Sequence, residues 1–174
     1  MCLISVFAFR KQQLFLLVIP AGKTIAERFA LPNGFARIVS AKNSFGEYLQ
    51  NISLKPNGTL VHLYNGQEKP NKVAAAVLNV DVGSKDLQQC ADAVMRLRAE
   101  YLYKTQQFNL LHFNFTNGFN AEYSKWKSGY RIAVKGNKVS WIKTTKESMS
   151  SESFREYMNM VFTYAGTASL SKEL

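Results

Sequence analysis

Cysteine and histidine are scarce in this chain: there are two of each in 174 residues, Cys2 and Cys90, His62 and His112. Two cysteines build no disulfide framework, and the four residues show no Cys/His zinc spacing, so neither a metal nor a cofactor is expected. Long apolar runs are also lacking. Residues 1–9 are mostly apolar, Arg10 and Lys11 interrupt, and Leu14–Ile19 is a second short run, so neither reaches the length of a membrane span. Acidic residues are few, 12 against 22 Lys and Arg, which leaves a net charge of +10 and a pI of about 9.7. Such a surplus suits an anionic partner (nucleic acid, membrane headgroups or wall polymer) or a plain solvated basic surface. The chain is 47% hydrophobic and 20% charged, which excludes a disordered composition. Its length supports one domain with a substantial core.

The N-terminal segment, residues 1–21, has two readings. Arg10-Lys11, Leu14–Ile19 and Ala21-Gly22 match the basic, apolar and small-residue parts of an export signal with a short apolar region. Alternatively, the segment is an N-terminal strand or follows a misplaced start. Residues 22–174 are then expected to form a single domain.

Turn signals sit at Pro32-Asn33-Gly34, Pro56-Asn57-Gly58 and Asn65-Gly66. Ser44 with Glu47 forms a capping box for a short helix over 44–51. Thr59–Tyr64 alternates as a strand, and the Val/Ala-rich run Lys72–Val82 is expected to be another. Next comes the most informative stretch, an amphipathic helix from Asp86 to about Lys104. Leu87, Cys90, Ala91, Val94, Leu97, Tyr101 and Leu102 form its apolar stripe, and Asp92, Arg96 and Glu100 form i, i+4 pairs on the wetter side. A strand over Gln107–Phe115 follows, then a turn at Thr116-Asn117-Gly118 and a short helix around Tyr123 and Trp126. Gly136-Asn137 closes a hairpin over Tyr130–Lys143 that pairs Ile132 with Trp141, Val134 with Val139 and Lys135 with Lys138. A last helix is expected to start at Ser153, capped by Ser153 and Glu156, and to stop at Gly166. Strands after a central helix indicate an α+β fold with that helix packed on an antiparallel sheet.

Two constellations carry chemistry. Cys90 lies early in its helix, where the dipole and free N–H groups favour a thiolate nucleophile; as an apolar-stripe residue it would instead be a buried core cysteine. His112, on the following strand, is the candidate base, against the reading of a hydrogen-bonded sheet histidine. The second constellation spans 125–146. There Lys125, Lys127, Arg131, Lys135 and Lys138, with Lys143 and Lys146, stand among Trp126, Tyr130 and Trp141 with no acidic residue between. Basic charge with aromatic platforms is how single-stranded nucleic acids and some glycans are held. Trp141 falls on the Val134/Val139 face and is better read as core.

The run from Asp86 to Leu102 (Asp-Leu-Gln-Gln-Cys-Ala-Asp-Ala-Val-Met-Arg-Leu-Arg-Ala-Glu-Tyr-Leu) resembles a bacterial family catalogued as a domain of unknown function. Shorter supporting stretches are Leu31–Arg37, Ser44-Phe45, Tyr64-Asn65-Gly66, Trp126–Arg131 and Tyr164–Leu170. The resemblance implies a later Gly-His segment, similar to the histidine half of papain-like cysteine amidohydrolases of the cell wall, and it carries Cys90 over as the nucleophile. No Gly-His segment occurs here. The expected function is therefore a papain-like amidohydrolase or peptidase domain of the cell envelope. Its substrate would be a peptide or peptidoglycan-like amide, and the present stretch would be an inactive, C-terminally truncated piece with an incomplete papain-like fold. Such a piece would self-associate through apolar surface near the helix carrying Phe154, Tyr157, Met158, Val161 and Phe162. The competing expectation is a non-catalytic module that binds an anionic polymer through 125–146.

Overall fold

The structure, a computed structural model, describes residues 17–70 and 73–173. Cys2 and most of the signal-like segment lie outside the described residues. The chain forms two compact units, Met1–Ser84 and Lys85–Leu174.

The first unit is built mostly from turns and short helices, α1 (Ile25–Arg28) and α2 (Phe45–Gln50). Thr24 Oγ1 accepts from the Glu27 N–H at the start of α1. Ser44 Oγ accepts from the Glu47 N–H at the start of α2, as the capping box predicts. The strands expected at Thr59–Tyr64 and Lys72–Val82 reduce to isolated bridges, His62 with Glu68 and Leu54 with Leu78. Ala74–Ala76 offer little side-chain surface for cross-strand packing, which is what holds a ladder together. Instead, Arg28 organises this unit. It is 2% exposed, and its guanidinium donates to the Gly22 carbonyl at 2.9 and 2.6 Å and to the Lys55 carbonyl at 3.3 Å. Gly22 is required there, because a Cβ would lie 2.5 Å from the Arg28 nitrogen.

The second unit contains α3 (Cys90–Lys104), β1 (His112–Asn114), β2 (Asn120–Glu122), α4 (Tyr123–Lys127), β3 (Tyr130–Lys135), β4 (Lys138–Lys143), α5 (Ser151–Tyr164) and α6 (Thr167–Leu170). It is an α+β arrangement with two antiparallel pairs, β1 with β2 and β3 with β4. The hairpin register matches the expectation, with Ile132 opposite Trp141, Val134 opposite Val139 and Lys135 opposite Lys138. The core joins α3 (Met95, Ala99, Leu102), β1 (Phe113), α4 (Tyr123, Trp126) and α5 (Phe154, Tyr157, Met158, Val161, Phe162). The α5 face is thus covered. The exposed large apolar side chains include Phe35, Ile38 and Val39 of the first unit.

Three local expectations are corrected. First, α3 begins at Cys90, not Asp86, because the Asp92 carboxylate accepts from the Gln89 N–H (3.0 Å) and caps the helix there. Second, α5 begins two residues early: Ser150 Oγ caps it by accepting from the Ser153 N–H, and Ser153 lies buried inside the helix. Third, the buried stripe of α3 is Asp92, Met95, Arg96, Ala99 and Leu102, while Val94 is half exposed. The expected stripe was rotated because two of the inward positions carry charge. The free edge of β1 is partly blunted, since the Glu173 carboxylate accepts from the Asn114 N–H.

Candidate functional site

Cys90 is the first residue of α3, a free thiol and exposed. The core-cysteine reading therefore does not describe it. Two residues on, Asp92 turns back to the helix start. One of its oxygens accepts from Gln89, while Oδ1 is buried with no hydrogen-bond partner. Burial pushes the Asp92 carboxyl above its ordinary value, opposed by the backbone hydrogen bonds it accepts. Arg96, one turn further on the same buried face, pairs with Glu100 at 2.6 Å.

His112 opens β1 and is half-buried; its Nδ1 is buried and has no hydrogen-bond partner, Cys90 included. It stands opposite Glu122. The Tyr123 N–H donates to the Leu111 carbonyl and the Phe115 N–H to the Phe119 carbonyl, so 112 and 122 form a non-hydrogen-bonded pair, the closer kind. Glu122 also receives Asn120 Nδ2 and Lys125 Nζ, each at 3.4 Å. The histidine thus shares a sheet face with a carboxylate, the partner that orients an imidazole in acid–base sites. Sequence reasoning missed Glu122, although the Asn117-Gly118 turn already fixes the 112–122 pairing.

The basic constellation is largely engaged within the chain. Lys125 pairs with Glu122 and lies over the Trp141 ring. Lys127 pairs with Glu147 at 3.4 Å and lies over the Phe108 ring. Arg131 stacks on Trp126 and donates to the Trp126 and Tyr130 carbonyls. The acid-free window runs from Lys125 to Lys146, and glutamates just outside it, at 122 and 147, fold back onto it. Lys135 and Lys138 flank the exposed hairpin turn. Trp141 packs against Phe119 on the core side, as its register predicts.

Among the described residues no group of His, Cys, Asp and Glu could hold a metal ion. No helix among them is long and apolar enough to cross a membrane. No curated protein and no solved structure matches the chain. The model of a family described as "Domain of unknown function (4846)" matches residues 25–174, and the chain belongs to that family.

Proposed function

We propose that this chain carries the nucleophile of a papain-like thiol amidohydrolase acting on a peptide or peptidoglycan-like amide in the cell envelope. Cys90 is the nucleophile and His112 the base. The thiolate attacks the amide carbonyl, the C–N bond breaks, and the leaving amine takes the proton that the imidazole received from the thiol. Water then hydrolyses the thioester and regenerates the thiol.

The observation that carries this reading is the exposure of Cys90 at the first position of a fifteen-residue helix. A thiol held there for packing would be buried; one held for chemistry must be reachable and benefit from the positive end of the dipole. His112, half-buried on β1 and opposite Glu122 in the register, is the base this reading requires, although no hydrogen bond joins its Nδ1 to Cys90. The polymer-binding reading is weakened by the internal partners of Lys125, Lys127 and Arg131.

Thiol labelling tests the proposal. In a Cys2→Ser background, Cys90 is expected to react with iodoacetamide faster than a free thiol, and His112→Ala is expected to slow it. If His112→Ala leaves the rate unchanged, His112 is not the base. Salt-sensitive retention of oligonucleotide, abolished by Lys135→Ala/Lys138→Ala, with an unreactive Cys90, would favour the polymer-binding module.

A further inference from the structure

The loop over residues 30–43 of the first unit is inside out. Arg37 and Ser40 bond back to the two short helices and hold the loop in place. Arg37 Nη2 donates to the Phe29 carbonyl (2.7 Å) and the Ala26 carbonyl (3.4 Å) at the end of α1. Gln50 of α2 donates to the Ile38 carbonyl (3.3 Å) and to Ser40 Oγ (3.1 Å). The apolar side chains face solvent instead: Phe35 is 72% exposed, Ile38 85% and Val39 93%. A loop free to choose would bury Ile and Val and leave Arg and Ser in water. Here specific hydrogen bonds fix the opposite arrangement, so three apolar groups within five residues are held facing outward, the kind of surface that marks an interaction site.

The charge around these groups favours a particular partner. Residues 30–43 hold Arg37 and Lys42 and no acidic residue, in a chain of net charge +10. Glu27 and Glu47, the nearest acids in sequence, accept backbone N–H groups of Lys23 and Asn43. Three exposed apolar side chains within five residues, followed by the exposed Lys42, fit the boundary between anionic headgroups and acyl chains. We propose that this loop is a membrane-surface anchor that inserts Phe35, Ile38 and Val39 into an anionic lipid bilayer while Lys42 stays among the headgroups. The proposal is independent of the chemistry assigned to Cys90.

Co-sedimentation of the full chain with vesicles tests it, using phosphatidylcholine alone or mixed with phosphatidylglycerol. Binding is expected to the mixed vesicles. The triple variant Phe35→Ser/Ile38→Ser/Val39→Ser is expected to bind about tenfold or more weakly, given the apolar area removed. A control variant, Val94→Ser/Ile142→Ser, removes exposed apolar groups of the second unit and is expected to bind like the parent. Circular dichroism checks that both variants fold. Failure to bind mixed vesicles, or equal binding by parent and triple variant, overturns the proposal. So does a lipid-free dimer that the triple variant converts to monomer, because the loop would then be an interface between copies.

Discussion

The guanidinium carbon of Arg131 lies 4.2 Å from the centre of the Trp126 ring, and its Nη1 donates to the Trp126 carbonyl at 3.1 Å. The same indole donates its N–H to the Ser153 carbonyl at 3.0 Å, so this stack joins β3, α4 and the start of α5. Arg131→Ala is expected to destabilise the chain by about 1–3 kcal/mol, through the lost stack and carbonyl contacts. Arg131→Lys recovers little of this, because an ammonium cannot reproduce the planar stack. Urea unfolding of the three proteins checks it, and an unchanged midpoint for Arg131→Ala would contradict the assignment.

Two buried tyrosines make opposite predictions. Tyr157 is fully buried and its hydroxyl donates to the Ala121 carbonyl at 2.7 Å. Tyr123 is equally buried, and its hydroxyl has no hydrogen-bond partner. Tyr157→Phe removes one of two hydrogen bonds to the Ala121 carbonyl, which still pairs with Phe113 across the ladder, and is expected to cost about 0.5–1.5 kcal/mol, whereas Tyr123→Phe removes an unsatisfied group and is neutral or stabilising. Thermal unfolding of the pair separates them, and equal losses would contradict the hydrogen-bond assignment.

The same phenols set an alkaline limit. Burial pushes Tyr157 and Tyr123 well above the ordinary phenol value of 10.0. A folded-state value raised above the unfolded one stabilises the fold fully below the unfolded value, and the contribution is lost as pH rises beyond it. Stability is therefore expected to fall as pH climbs past about 10, where the unfolded chain ionises and the folded chain resists. Tyr157→Phe should flatten that decline. A denaturation midpoint constant from pH 9 to pH 11 would contradict it.

Gly129 joins α4 to β3 at φ +94°, and a Cβ there would run into the Thr145 carbonyl. Its own carbonyl accepts from both the Thr144 and Thr145 N–H groups at 3.1 Å, closing the open end of the hairpin. Gly129→Ala combines a clash with a backbone region that side chains avoid, and is expected to cost about 1–3 kcal/mol or more. Gly136→Ala, at the exposed turn with φ +58° and nothing near its Cβ position, is expected to cost less. Chemical denaturation of both variants checks the ranking.

How far the sequence could be read depended on whether local chemistry or tertiary packing decided each feature. The β3–β4 register was legible because Gly136-Asn137 fits a two-residue turn and each strand alternates. The cap of α2 was legible because Ser44 and Glu47 act within four residues of each other. The start of α5 was misplaced because Ser150 and Ser153 both precede apolar residues, and only packing against Trp126 shows that Ser153 lies inside the helix. The α3 stripe was rotated because Asp92 and Arg96 face inward. Burial of charge opposes the periodicity rule, and only the fold supplies its reasons: a backbone N–H for Asp92 and a carboxylate for Arg96. The exposure of Cys90 follows from the same rotation. The buried Arg28 went unread because its partners are backbone carbonyls, which leave no mark in a sequence.

The most direct test of the account is the iodoacetamide reaction rate of Cys90 at pH 7 in the folded Cys2→Ser protein, compared with N-acetylcysteine and with the same protein in urea. An exposed thiol at the first position of α3 is expected to react about twofold to fivefold faster than either reference. A folded-state rate equal to or below that of the unfolded chain would contradict the assignment of Cys90 as nucleophile.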